Sequence, residues 1–145
     1  MISVRKQEVV KLENVLHLYQ AVGWTNYTHQ PQMLEKSLSN SLAIYLALDG
    51  EAIVGLVRLV GDGFSSVFVQ DLIVLPSYQR QGIGSALMKE ALRDFKDAYR
   101  VQLATDQTEK NLEFYRSLGF ETLSTYDCTG MIWVERKKNK IIIFS

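Results

Sequence analysis

Residues 79–84 read Gln-Arg-Gln-Gly-Ile-Gly and follow an apolar run that ends on Leu75 and Pro76. Gly82 and Gly84 open a stretch with helical spacing, and Arg80 stands just ahead of them. The first turn of a helix has backbone N–H groups without partners and carries a partial positive charge. Glycine lets an anion approach those donors closely, and an arginine adds a charge-assisted contact. The chemistry on offer is the holding of a phosphate group. The segment is not the mononucleotide loop, which needs Gly-Lys followed by Ser or Thr. Nor does it fit the dinucleotide fingerprint, because Leu87 stands where the third glycine belongs. Taken alone, Gly-x-Gly fits a tight strand-to-helix turn that binds nothing just as well.

The hinge needs elements to hold it. A strand is expected at residues 2–6 and a helix at 9–22, with Leu12, Val15, Leu16, Tyr19 and Val22 on one face. Pro31 starts a second short helix through Met33, Leu34 and Leu38. Strands are expected at 42–48 and 52–60 around the turn signal Asp49-Gly50, and at 67–74 after Asp62-Gly63. A helix over 82–96 places Ile83, Leu87, Ala91 and Phe95 on one stripe, and a strand at 100–104 follows. A helix over 109–118 stops at Gly119, and strands at 120–126 and 131–135 complete the set. Short turns make the early strands antiparallel, whereas the crossover from 67 to 104 makes its two strands parallel. The expected architecture is α+β: one domain over residues 1–145, with a mostly antiparallel mixed sheet and helices on both faces.

Composition narrows the function. Sixteen acidic residues balance sixteen basic ones, which argues against a nucleic-acid binder, whose affinity draws on excess positive charge. The basic run Arg136-Lys137-Lys138-Asn139-Lys140 reads as a solvated turn between strands. No apolar run approaches the roughly 18 residues of a membrane span, and the opening residues lack a signal-peptide layout. The lone Cys128 excludes a disulfide framework and a cysteine-cluster metal site, and is expected to be a small buried residue. No metal is expected, and the cytoplasm is the simplest compartment.

Gln79-Arg80-Gln81-Gly82-Ile83-Gly84 resembles the Q/R-x-x-G-x-G/A signature of the GCN5-related N-acetyltransferases, and the preceding DLIVLP resembles the family's approach to it. Downstream, Asn111-Leu112-Glu113-Phe114-Tyr115-Arg116-Ser117-Leu118-Gly119-Phe120 is similar to the second family motif. The strong likeness covers about residues 70–120. Val22-Gly23-Trp24, Asn40-Ser41, Arg58, Asp62-Gly63 and Gly130-Met131-x-Trp133 resemble a branch of small acetyltransferases that includes plant serotonin N-acetyltransferases.

The resemblance implies an N-acetyltransferase with acetyl-CoA as co-substrate and a primary amine, of a small molecule, as acceptor. A protein lysine or N-terminus as acceptor, or a non-catalytic acyl-CoA sensor, stays open. Acetyl-CoA would lie where the two parallel strands splay apart. A bulge there would free the main chain of Leu72, Ile73 and Val74 for the pantetheine arm. Gln79, Arg80, Gln81, Gly82, Ile83, Gly84 and Ser85 would cradle the pyrophosphate. Tyr115 would be the general acid; as a packed core aromatic it would have no such role. Asn111 and Phe114, from the same motif, would touch the cofactor. Asp71 would take the amine proton through water if it faces the gap, and would only anchor a loop if it faces the other way. Trp24, Tyr27, His29 and Arg58 are the substrate candidates; a core plug, an exposed loop residue or a paired charge are their plainer readings. His17 carries no functional expectation. The resemblance implies a homodimer as a family habit only; separately, an exposed apolar end strand at Ile141-Ile142-Ile143-Phe144 could pair between chains.

Overall fold

Apolar runs build a five-stranded sheet in the computed structural model, which describes residues 1–135. The strands are β1 (Ile2–Lys6), β2 (Ala43–Asp49), β3 (Ala52–Gly61), β4 (Val67–Val74) and β5 (Val101–Leu103), in spatial order β1-β2-β3-β4-β5. The first four are antiparallel, and β4 pairs with β5 in parallel. The crossover between them contains α4 (Ile83–Asp94), as a parallel pair requires. The mixed α+β architecture read from the sequence is therefore present.

β2 is apolar and buried from Ala43 to Leu48 because both of its faces are covered. Ile44, Leu46 and Leu48 join Leu56 of β3 and Ile73 of β4 in one core. That core receives Val15, Leu18 and Tyr19 of α1 (Leu12–Ala21), Tyr27 of α2 (Thr25–Thr28), and Leu34 and Leu38 of α3 (Pro31–Ser39). The opposite face meets α4 through Ile83, Leu87, Met88 and Ala91, all buried. There the Tyr45 hydroxyl donates to Asp94 Oδ2 at 2.6 Å and ties the end of α4 to the sheet. Gly55 makes this packing possible. A Cβ on it would lie 3.0 Å from the Ile73 carbonyl oxygen and 3.2 Å from Leu87 Cδ1.

Apart from shifts of one or two residues at element ends, the structure departs from the sequence reading in four places. α1 begins at Leu12 rather than near Val9: Lys11 is still extended, and Val9 stays exposed rather than joining the apolar face. The stretch read as a break holds the single helical turn α2. The β2–β3 turn is Gly50-Glu51, since Asp49 already pairs with Ala52, and Gly50 takes φ +61°. The strands expected at 120–126 and 131–135 are absent among the described residues. A 3₁₀ turn at Leu123–Tyr126 stands in place of the first. The Thr122 hydroxyl bonds those of Ser124 and Thr125, and these local bonds compete with a strand ladder. The basic run 136–140 and the apolar run 141–144 lie outside the described residues.

The chain divides into two compact units, Met1–Ala104 and Thr105–Ser145. The first holds the sheet with α1 to α4. The second holds α5 (Glu109–Ser117) and the turn after it.

Candidate active site

In the first unit, β4 runs into a 3₁₀ turn at Pro76–Tyr78 and then into the hinge before α4. Tyr78 donates its hydroxyl to Asp49 Oδ2 at 2.6 Å, and Gln79 Nε2 donates to the Val74 carbonyl at 3.1 Å. These bonds fix the approach to the hinge from two sides. Arg80 and Gly82 both adopt left-handed backbone, at φ +66° and +79°. For arginine that conformation is uncommon, and such strain concentrates at ligand-holding turns. Gly82 caps α4 without any side-chain hydrogen bond, so the N–H groups of Ile83, Gly84 and Ser85 are left unclaimed by a cap. A Cβ on Gly82 would meet no atom within 4 Å. The side of Gly82 that a side chain would occupy is therefore open. Gln79, Arg80 and Gln81 are exposed, while the buried Ile83 roots the turn in the core.

β4 itself carries the bulge. Arg58 pairs with Asp71 and Leu59 with Val69, which leaves Gln70 as the extra residue. On the other edge of β4, pairing with β5 covers Val67, Phe68 and Val69 and ends there. Leu72, Ile73 and Val74 pair only with β3, at Val57, Leu56 and Gly55. The two parallel strands thus part company beyond the bulge. Ile73 is buried in the core, while Leu72 and Val74 are half-buried.

Behind the bulge lies a buried polar network. Arg58 and Asp71 are only 4% and 3% exposed, and Arg58 Nε donates to Asp71 Oδ2 at 2.8 Å. Tyr19 donates to the same oxygen at 2.8 Å, and Tyr27 donates to Asp71 Oδ1 at 2.8 Å. The Arg58 guanidinium also reaches the Tyr27 hydroxyl at 3.3 Å, Ser41 Oγ at 3.2 Å and the Ser37 carbonyl at 3.4 Å. Gln70 Nε2 donates to the Tyr27 hydroxyl at 3.4 Å. Burial, reinforced by the Asp71 charge, pushes both phenols above the ordinary tyrosine range. Burial alone would lower the Arg58 guanidinium, but Asp71 outweighs it and holds the group charged.

The other candidates fall as follows. Trp24 is half-buried, its ring 6.1 Å from Tyr19 and 6.2 Å from Tyr27. His29 is exposed at the end of α2. A ring nitrogen of His17 lies 2.8 Å from the Ile53 carbonyl. Cys128, expected to be buried, is exposed, because the segment around it forms no strand among the described residues.

In the second unit, Thr108 caps α5 by accepting from the Asn111 N–H at 3.2 Å. Asn111 Nδ2 donates to Thr105 Oγ1 at 3.1 Å and to the Asp106 carbonyl at 3.4 Å. Tyr115 packs edge-on against Phe114 at 5.0 Å and Phe120 at 6.0 Å. Burial raises its phenol above the ordinary range, so the hydroxyl keeps its proton at neutral pH.

Sequence reasoning placed the hinge residues together but did not join Tyr19 to Asp71, or Tyr78 to Asp49. A signal for the ion pair was present. Arg58 and Asp71 are lone charges in adjacent apolar strands, and the hairpin register sets them opposite each other.

The first unit thus combines an uncapped helix start, a bulged strand and a parallel pair that parts beyond the bulge. The sequence model of the acetyltransferase (GNAT) domain matches residues 40–122. The chain belongs to the GCN5-related N-acetyltransferase family, a class of acetyl-CoA-dependent acetyltransferases. It is similar to the solved structure of a GNAT-family acetyltransferase from Streptococcus pneumoniae TIGR4, with 77% identity and a TM-score of 0.87 over 94% of this chain and 99% of that one. It is 29% identical to GCN5-related N-acetyltransferase 1, chloroplastic, of Arabidopsis thaliana, over 94% of this chain and 68% of the relative. It is 30% identical to serotonin N-acetyltransferase 2, chloroplastic, of Oryza sativa subsp. japonica, over 63% of this chain and 48% of the relative.

Proposed function

We propose that the chain transfers the acetyl group of acetyl-CoA to a primary amine of a small molecule, by direct attack in a ternary complex. The observation that carries this reading is the uncapped start of α4 beside left-handed Arg80 and Gly82. Backbone donors there suit a pyrophosphate, and Arg80 adds a charge to a phosphate oxygen. Gln79, Gln81, Ile83, Gly84 and Ser85 complete the cradle. The unpaired edge of Leu72, Ile73 and Val74 offers main-chain bonds to the pantetheine arm, and Asn111 and Phe114 are assigned to the cofactor as well.

The thioester supplies an activated acetyl carbonyl. An amine near its ordinary pKa of about 10 must lose a proton before attack. Asp71 already accepts three side-chain bonds, so it enters this reading as an anchor and the proton leaves through water. Tyr115 is the proton donor to the departing thiolate: its hydroxyl carries the proton at neutral pH, although burial makes it a weaker acid than a free phenol. Trp24 and Tyr27 are the aromatic wall for the acceptor, with His29 at its rim and Arg58 holding Tyr27 from behind.

Thiol release from acetyl-CoA over a panel of small amines and lysine peptides tests the reading. Amine-dependent release is expected. Tight acetyl-CoA binding without it would point instead to an acyl-CoA sensor, and release with peptides alone to a protein acceptor.

A further inference from the structure

Gln70 is the extra residue of the β4 bulge and is exposed, yet its amide is tied to a hydroxyl that is itself buried. The bonding of that hydroxyl decides which end of the amide faces outward. A phenol has one hydrogen to donate and two lone pairs to accept with. Tyr27 gives its hydrogen to Asp71 Oδ1. The Asp71 carboxylate, ion-paired with Arg58, serves only as an acceptor. One Tyr27 lone pair takes an N–H from Arg58, which leaves the other for Gln70. Gln70 must therefore present its Nε2 to Tyr27, because a carbonyl there would meet an oxygen with no hydrogen left. Its Oε1 is turned away from the network, and no described residue donates to it.

We infer that Gln70 is a substrate-orienting residue, whose Oε1 accepts an N–H from the acceptor amine. Arg58, Asp71 and Tyr27 are positioning residues that set the polarity of its amide. This inference rests on the transferase reading above. A neutral acceptor at the bulge holds the amine by one N–H and leaves its nitrogen lone pair to attack. It also selects for acceptors that carry an N–H, which a tertiary amine lacks.

The test measures kcat and KM for the best amine of the panel, with acetyl-CoA affinity measured separately by calorimetry. Gln70→Leu alters an exposed side chain and should fold normally. It is expected to lower kcat/KM for the amine by roughly tenfold, the scale of one hydrogen bond, with acetyl-CoA affinity unchanged. Tyr27→Phe should lower the same parameter, and the double variant should fall no further than Gln70→Leu alone, because both act through one amide. An unchanged kcat/KM in Gln70→Leu, or losses that multiply in the double variant, would overturn the assignment. If Tyr27→Phe does not fold, Gln70→Leu decides alone. Wild-type release in the same assay keeps the two readings apart: its absence sinks the transferase, whereas normal release with an indifferent Gln70→Leu sinks only the role of Gln70.

Discussion

Five tyrosines, Tyr19, Tyr27, Tyr45, Tyr78 and Tyr115, are held above the ordinary phenol range, and they do different work. Tyr19 and Tyr27 donate to one carboxylate, so ionising either would set a phenolate against Asp71. An unfolded chain ionises its tyrosines near pH ~10. The folded chain keeps these protons to higher pH, so their contribution to stability is whole below pH ~10 and is lost as pH rises past it. Denaturant melts between about pH 9 and 11 should show this decline, and Tyr19→Phe should flatten it; an equally steep decline in that variant would remove Tyr19 from the account. Tyr115 is raised by burial alone. Tyr115→Phe should lower kcat by roughly 10- to 100-fold, near the lower end of general-acid effects, with acetyl-CoA affinity little changed. An unchanged kcat would exclude it as the acid. Arg58 and Asp71 were each visible in the sequence as an odd charge, but their phenolic partners were not. Tyr19 lies 52 positions from Asp71, and its helical spacing explained it as a packed residue with no polar task.

At the scale of elements, the hinge before α4 was the most legible part, because local backbone chemistry sets it. Gly82 needs φ +79°, a conformation costly for a side chain, although the side that a side chain would occupy is open. Gly82→Val should weaken acetyl-CoA binding by roughly tenfold or more, through strain of ~1–2 kcal/mol and a blocked approach to the donors. Calorimetry beside a thermal melt checks it, and unchanged affinity would dismiss the pyrophosphate cradle. Gly55 answers a different need, since α4 lies against it. Gly55→Val should cost about 1–3 kcal/mol of stability by overpacking, read as a lower denaturant midpoint. The single turn α2 was illegible because four residues give no period to detect. The strands expected at 120–126 and 131–135 failed for another reason. Alternating apolar letters suit a strand only when a neighbour supplies the ladder, and hydroxyl side chains in the first of these stretches bond locally instead.

Across the molecule, the order of helices and strands through residue 117, the single turn α2 apart, was readable because each crossover and hairpin follows from connection length. What the letters could not show was how distant elements share one charge. The Arg58–Asp71 pair draws donors from α1 and α2 and joins β3 to β4. That joint has a consequence for assembly. A slip of β4 by a single residue would swing Asp71 to the opposite face and leave the buried Arg58 guanidinium without its carboxylate. Misaligned hairpins are thereby rejected by electrostatics as well as by shape, so the bulge that presents Gln70 is proofread each time the chain folds.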